Sequence, residues 1–79
     1  MNRDRRDELN DVCDYLMDAI ERLQEIRDDE QDDFDDLSYS QATRREAAYM
    51  KTLKKLNEFD VEIQNIHKKI YAFANPQQK

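Results

Sequence analysis

Apolar residues in the first half of the chain recur at Leu9, Cys13, Leu16, Ile20 and Leu23, stepping by four and three. That spacing keeps one face of an α-helix apolar over successive turns. Val12, Ala19 and Ile26 lie beside the stripe and widen it. Arg27 and Glu30 then interrupt it, and Phe34 and Leu37 resume it. In the second half Tyr49, Thr52, Leu56, Phe59, Ile63, Ile66, Ile70 and Phe73 keep the same rhythm, with Leu53 on the flank. This second stripe is the strongest single signal in the chain, and it predicts a long helix that packs against other helices.

The two periodic segments predict helix 1 over residues 4–35 and helix 2 over 40–74, with a turn over 36–40. Ser38 followed by Gln41 fits a capping box at the start of the second helix, with Ser40 as the alternative N-cap. Asn75-Pro76 ends it, because a residue before proline disfavours the α conformation. A short tail, 75–79, completes a single domain spanning residues 1–79. The fold class is all-α: two long antiparallel helices in a helical hairpin. Folding back around Ser38–Ser40 places Leu23 opposite Leu56, Ile20 opposite Phe59, Leu16 opposite Ile63, Cys13 opposite Ile66 and Leu9 opposite Ile70. The same register sets Phe34 against Arg45 and Glu30 against Tyr49, so the Tyr49 hydroxyl is expected to answer Glu30, and Arg44 or Arg45 some of the acids near the tip.

A two-helix hairpin cannot cover both stripes entirely, and a chain this short has little core of its own. Two hairpins are therefore expected to dimerise into an antiparallel four-helix bundle, the alternative being one hairpin docked on a different protein. The residues expected to form the hairpin core and the dimer contact are Leu9, Val12, Leu16, Ile20, Leu23, Ile26, Phe34, Leu53, Leu56, Phe59, Ile63, Ile66 and Ile70.

Composition narrows the alternatives. The chain has 79 residues, no glycine and one proline, so a multi-strand fold with tight hairpins is disfavoured. One cysteine rules out an internal disulfide. No apolar run reaches the length of a membrane span or a signal peptide's core, which points to a cytoplasmic protein without a membrane partner.

Charge divides the chain. Residues 1–37 carry 5 Arg against 15 Asp and Glu, a net of −10, and residues 38–79 carry 8 Lys and Arg against 4 acids, a net of +4. Seven of the acids crowd into RDDEQDDFDD, Arg27 to Asp36. This run has no glycine and ends its candidate calcium loop on Tyr39, so it is no EF-hand. His67 has Gln64 rather than Glu three residues before it, which removes a di-iron site. No metal or cofactor is expected. With one cysteine and one histidine on separate segments and no phosphate-binding loop, neither is an enzymatic activity. Arg44, Arg45, Lys51, Lys54, Lys55, Lys68 and Lys69 make helix 2 basic, but they lie beside an acidic helix in a chain of net charge −6, so direct nucleic-acid binding is not expected.

What remains is the outer face of helix 1. Asp14, Asp18, Glu21, Glu25, Asp28, Asp29, Asp32 and Asp33 step along it mainly by three and four, a row of carboxylates able to attract a basic site on a partner protein. The alternative is a structural or assembly protein whose apolar stripe is the partner surface, with the acids serving solubility.

The stretch LQEIRDDEQDDFDDL, Leu23 to Leu37, resembles a string that recurs in small helical-hairpin hypothetical proteins of bacterial phages and mobile elements. In those, a Leu-Glu-x-Ile or Leu-Glu-x-Leu start leads into Arg-Asp-Glu-Glu-Gln and then Phe-Asp-Asn before a Pro-Glu turn. Arg27, Asp28, Glu30, Gln31, Phe34 and Asp35 match, while Ser38-Tyr39-Ser40 stands where the Pro-Glu turn would be. The resemblance covers fifteen residues and brings no catalytic residues with it. It implies a phage or mobile-element accessory protein and, by analogy of class, an inhibitor of the anti-CRISPR or anti-restriction type acting on a host nucleic-acid-binding defence protein.

Overall fold

The computed structural model describes residues 2–76 as two helices, α1 (Arg3–Asp35) and α2 (Tyr39–Ala74), folded against each other as a helical hairpin. The last three residues of the expected tail, 77–79, lie outside the described residues. The hairpin is a rod of 59 × 17 × 15 Å, close to the length that a 33-residue helix requires at ~1.5 Å per residue.

Each helix starts on a side-chain cap. Asn2 Oδ1 accepts from the Arg5 N–H at 2.8 Å. Ser38 and Gln41 form the reciprocal capping box, with Gln41 N–H donating to Ser38 Oγ at 3.4 Å and Ser38 N–H to Gln41 Oε1 at 3.3 Å. These bonds satisfy donors that the first helical turn leaves open. The link between the helices needs no left-handed residue, since no φ is positive. Asp36 stays right-handed (φ −80°, ψ −7°), the Leu37 N–H closes a tight turn on the Phe34 carbonyl at 3.1 Å, and Ser38 is extended (φ −65°, ψ 162°). A chain without glycine thus reverses direction using ordinary backbone. At the far end Asn75 ties the helices together: its Nδ2 donates to Asn10 Oδ1 at 3.0 Å and to the Tyr71 carbonyl at 3.0 Å.

The interface is a single line of contact. Among the described residues only Cys13, Ile20 and Ala74 are fully buried. Leu9, Leu16, Leu23, Phe34 and Leu37 of α1 are half-buried, as are Tyr49, Leu53, Leu56, Ile63 and Ile70 of α2. The two polar residues that break the α1 stripe, Arg27 and Glu30, stay on this line half-buried, and Arg27 Nη1 donates to Asn57 Oδ1 at 3.3 Å.

Two details differ from the expectation. First, α2 meets α1 through Tyr49, Leu53, Leu56, Asp60, Ile63, His67, Ile70 and Ala74, whereas Thr52, Phe59, Ile66 and Phe73 are exposed at the edge of the contact. The apolar arcs of both helices are wider than one neighbouring helix can cover, so half of each arc is left out. Leu53 takes an inner place, and Phe59 and Ile66 lie half exposed at the edge, lining a recess with Ala19 and Leu23. Second, Phe34 stacks on Tyr49 rather than facing Arg45, with ring centroids 4.1 Å apart and planes within 6°. Together with Arg27–Asn57 and Asn10–Asn75, this places facing residues about one helical turn further along α2. The extended Ser38 carries the chain past the end of α1 before α2 begins. From Tyr39 to Ala48 every residue except Ala42 is accordingly exposed. Each side chain also leans toward its own helix N-terminus, which adds to the offset in an antiparallel pair.

Candidate protein-binding surfaces

The row of carboxylates emerges from α1 by simple helical arithmetic. At about 100° per residue, Asp14, Asp18, Glu21, Glu25, Asp28 and Asp32 cluster on the side of α1 directly opposite its contact with α2. Asp29 and Asp33 lie on the flank of that cluster. All eight are exposed. Among the described residues the ion pairs are Arg5–Glu8 and Lys55–Glu58, both at 3.4 Å and both within one helix. None of the eight carboxylates is joined to a cation.

The tip concentrates this charge. The last turn of α1 carries acids and no basic residue, and the first turn of α2 carries no acid. Carboxylates at a helix C-terminus oppose the helix dipole. The hairpin brings Glu30, Asp33, Phe34, Arg45 and Tyr49 around one shallow recess, yet neither Arg44 nor Arg45 forms an ion pair with the acidic run, and Glu30 accepts no hydrogen bond from Tyr49. The expected answer from helix 2 to the tip acids is therefore not made within one hairpin.

A second surface emerges only in three dimensions. The halves of the two apolar arcs that the interface leaves out fall on the same side of the hairpin. Leu9, Val12, Phe73 and Pro76 line a recess near the open end. Ala19, Leu23, Phe59, Ile63 and Ile66 line another near the middle, with Arg22 and Glu62 on its banks. Five large side chains along this seam are substantially exposed: Val12 at 40%, Ile26 at 48%, Phe59 at 45%, Ile66 at 48% and Phe73 at 68%. The signal in the sequence is the exact seven-residue recurrence of Val12, Ala19 and Ile26 on one helix and of Phe59, Ile66 and Phe73 on the other.

The remaining groups with chemistry of their own are Cys13 and His67. Cys13 lies against α2, but its thiol donates to the backbone carbonyl of His67 at 3.9 Å rather than to the imidazole. Burial, with the neighbouring Asp14 carboxylate adding to it, pushes this thiol above its ordinary range, opposite to the shift that makes a nucleophile. The His67 ring stacks on Tyr71, with centroids 6.1 Å apart. Among the described residues no three His, Cys, Asp or Glu side chains converge as metal ligands, and no helix is long and apolar enough to cross a membrane. No family model, curated protein or solved structure matches this chain.

Proposed function

We propose that this chain is a non-enzymatic interaction protein that presents the carboxylate face of α1 to a basic groove on another protein. One observation carries the reading: the acids of that face are exposed, those from Asp14 to Asp28 and Asp32 cluster opposite α2, and among the described residues none is paired with a cation. Unpaired charges of one sign along a rod create a field that attracts a surface of opposite sign and repels nucleic acid. Grooves with that property belong to proteins that bind phosphate backbones, so the partner class is a nucleic-acid-binding protein. The phage-like stretch around Arg27–Asp35 suggests a bacterial defence protein of that class, inhibited by occupation of its groove.

A pull-down from bacterial lysate tests this, with the native chain as bait beside a variant carrying Glu21→Gln, Glu25→Gln, Asp28→Asn and Asp32→Asn. The native bait should retain a basic protein at low salt, release it by about 0.5 M salt, where charge–charge attraction is screened within ~4 Å, and release it to competing duplex DNA. The variant should retain nothing. A partner that stays bound through the salt step, or binds the variant equally, would sink the carboxylate-face reading. The exposed apolar seam favours a second reading, in which the chain is an assembly protein and the acids serve solubility.

A further inference from the structure

The seam is exposed along the rod, and its two banks carry an ordered pattern of charge. Arg22 on the α1 bank and Glu62 on the α2 bank border the same recess, so they stand at the same height. Seven residues toward the tip, the banks carry Asp29 and Lys55. A step of seven returns to nearly the same side of a helix, so these four side chains border the seam. At these two heights the banks have opposite sign, and the sign inverts between them. Within one hairpin the seam separates the banks, and no ion pair crosses it.

We propose that the seam is covered by a second copy of this chain, with the two-fold axis running along the rod. This axis lays α1 of each copy over α2 of the other and keeps both tips at the same end. Arg22 then meets the partner's Glu62, and Asp29 meets the partner's Lys55. The apolar layers fall into step as well: Val12 with the partner's Phe73, Ala19 with the partner's Ile66, and Ile26 with the partner's Phe59. The alternative axis, across the rod, sets α1 on α1 and acid on acid.

Size agrees with this occupant. The outline of the seam side, 59 × 17 Å, is roughly 1,000 Å2, against the ~800 Å2 that a stable interface takes from each partner. The opposite side is more polar, because its seven-residue positions are Asn10, Met17, Gln24 and Gln31 on α1 and Met50, Asn57, Gln64 and Tyr71 on α2. The outermost acids, Glu21, Glu25, Asp28 and Asp32, point away from the seam, so the dimer leaves the carboxylate face free. The two proposals can therefore fail separately.

Sedimentation equilibrium of the purified chain should give twice its 9.6 kDa mass. Ile66→Asp should give a monomer that keeps its helical circular dichroism, because Ile66 is outside the hairpin's own contact line. Arg22→Glu alone and Glu62→Arg alone should each weaken the dimer about tenfold, and the two together should restore it. A spin label on Ser40→Cys, in a Cys13→Ala background, should report tips within about two helix diameters, ~25 Å, of each other. A monomeric native chain, a dimer untouched by Ile66→Asp, a double charge swap that fails to rescue, or labels separated by nearly the rod's 59 Å would each overturn the arrangement.

Discussion

The open half of the hairpin and its tip half are built from the same two helices, yet they are held together differently. Every fully buried residue, Cys13, Ile20 and Ala74, belongs to the open half, where the Asn10–Asn75 hydrogen bond also clamps the ends. In the tip half the contact line runs through Arg27, Glu30 and the Phe34–Tyr49 stack, and nothing is fully buried. The tip also gathers acids at the end of α1, where the helix dipole disfavours them. Burial and charge thus reinforce the same gradient. The open half carries the stability of the fold, and the tip is the part that opens first, with the capping box at Ser38 as its main local restraint.

The largest test of this contrast is a pair of truncations. Ile20→Ala should lower unfolding stability by about 2–3 kcal/mol in a urea titration, since it removes most of a buried side chain from a thin interface. Phe34→Ala should cost about 1 kcal/mol, because its ring is half-exposed and loses chiefly the Tyr49 stack. Equal costs would break the contrast. Amide exchange should agree, with residues near Ile20 slower than those near Phe34.

Next in size is the cap. Ser38→Ala removes the oxygen that accepts from Gln41 N–H, and a loss of about 1 kcal/mol is expected by thermal unfolding. A smaller effect of opposite sign is expected from Asp35→Lys, which replaces an acid in the last turn of α1 by a cation. Stability should rise by about 0.5 kcal/mol at low salt, and the gain should shrink as salt is added. A loss there would mean that the tip acids are already paired.

The smallest effect concerns Cys13. Its pKa is higher folded than unfolded, so its contribution is fully present below the ordinary thiol range and fades as pH rises above about 9. The melting temperature should fall between pH 8 and pH 10 by more in the native chain than in Cys13→Ala. Alkylation of the native thiol should be slow for the same reason.

Much of this architecture was legible in the residues themselves. The rhythm of three and four marks both helices, Ser38 and Gln41 mark the start of α2, and Asn75-Pro76 marks its end. These are local properties, decided within one helical turn or by one dihedral preference. The carboxylate face was equally legible, because its positions follow from helical geometry alone. The apolar seam was not. An arc of apolar positions shows which residues seek cover, but one neighbouring helix covers only part of such an arc. Whether Leu53 or Thr52, and His67 or Ile66, turns inward depends on how both helices settle along one line and on how far the Ser38 link carries α2 past α1. Tertiary structure alone put Val12, Ala19 and Ile26 on the same side as Phe59, Ile66 and Phe73, because only the fold relates positions on one helix to positions on the other.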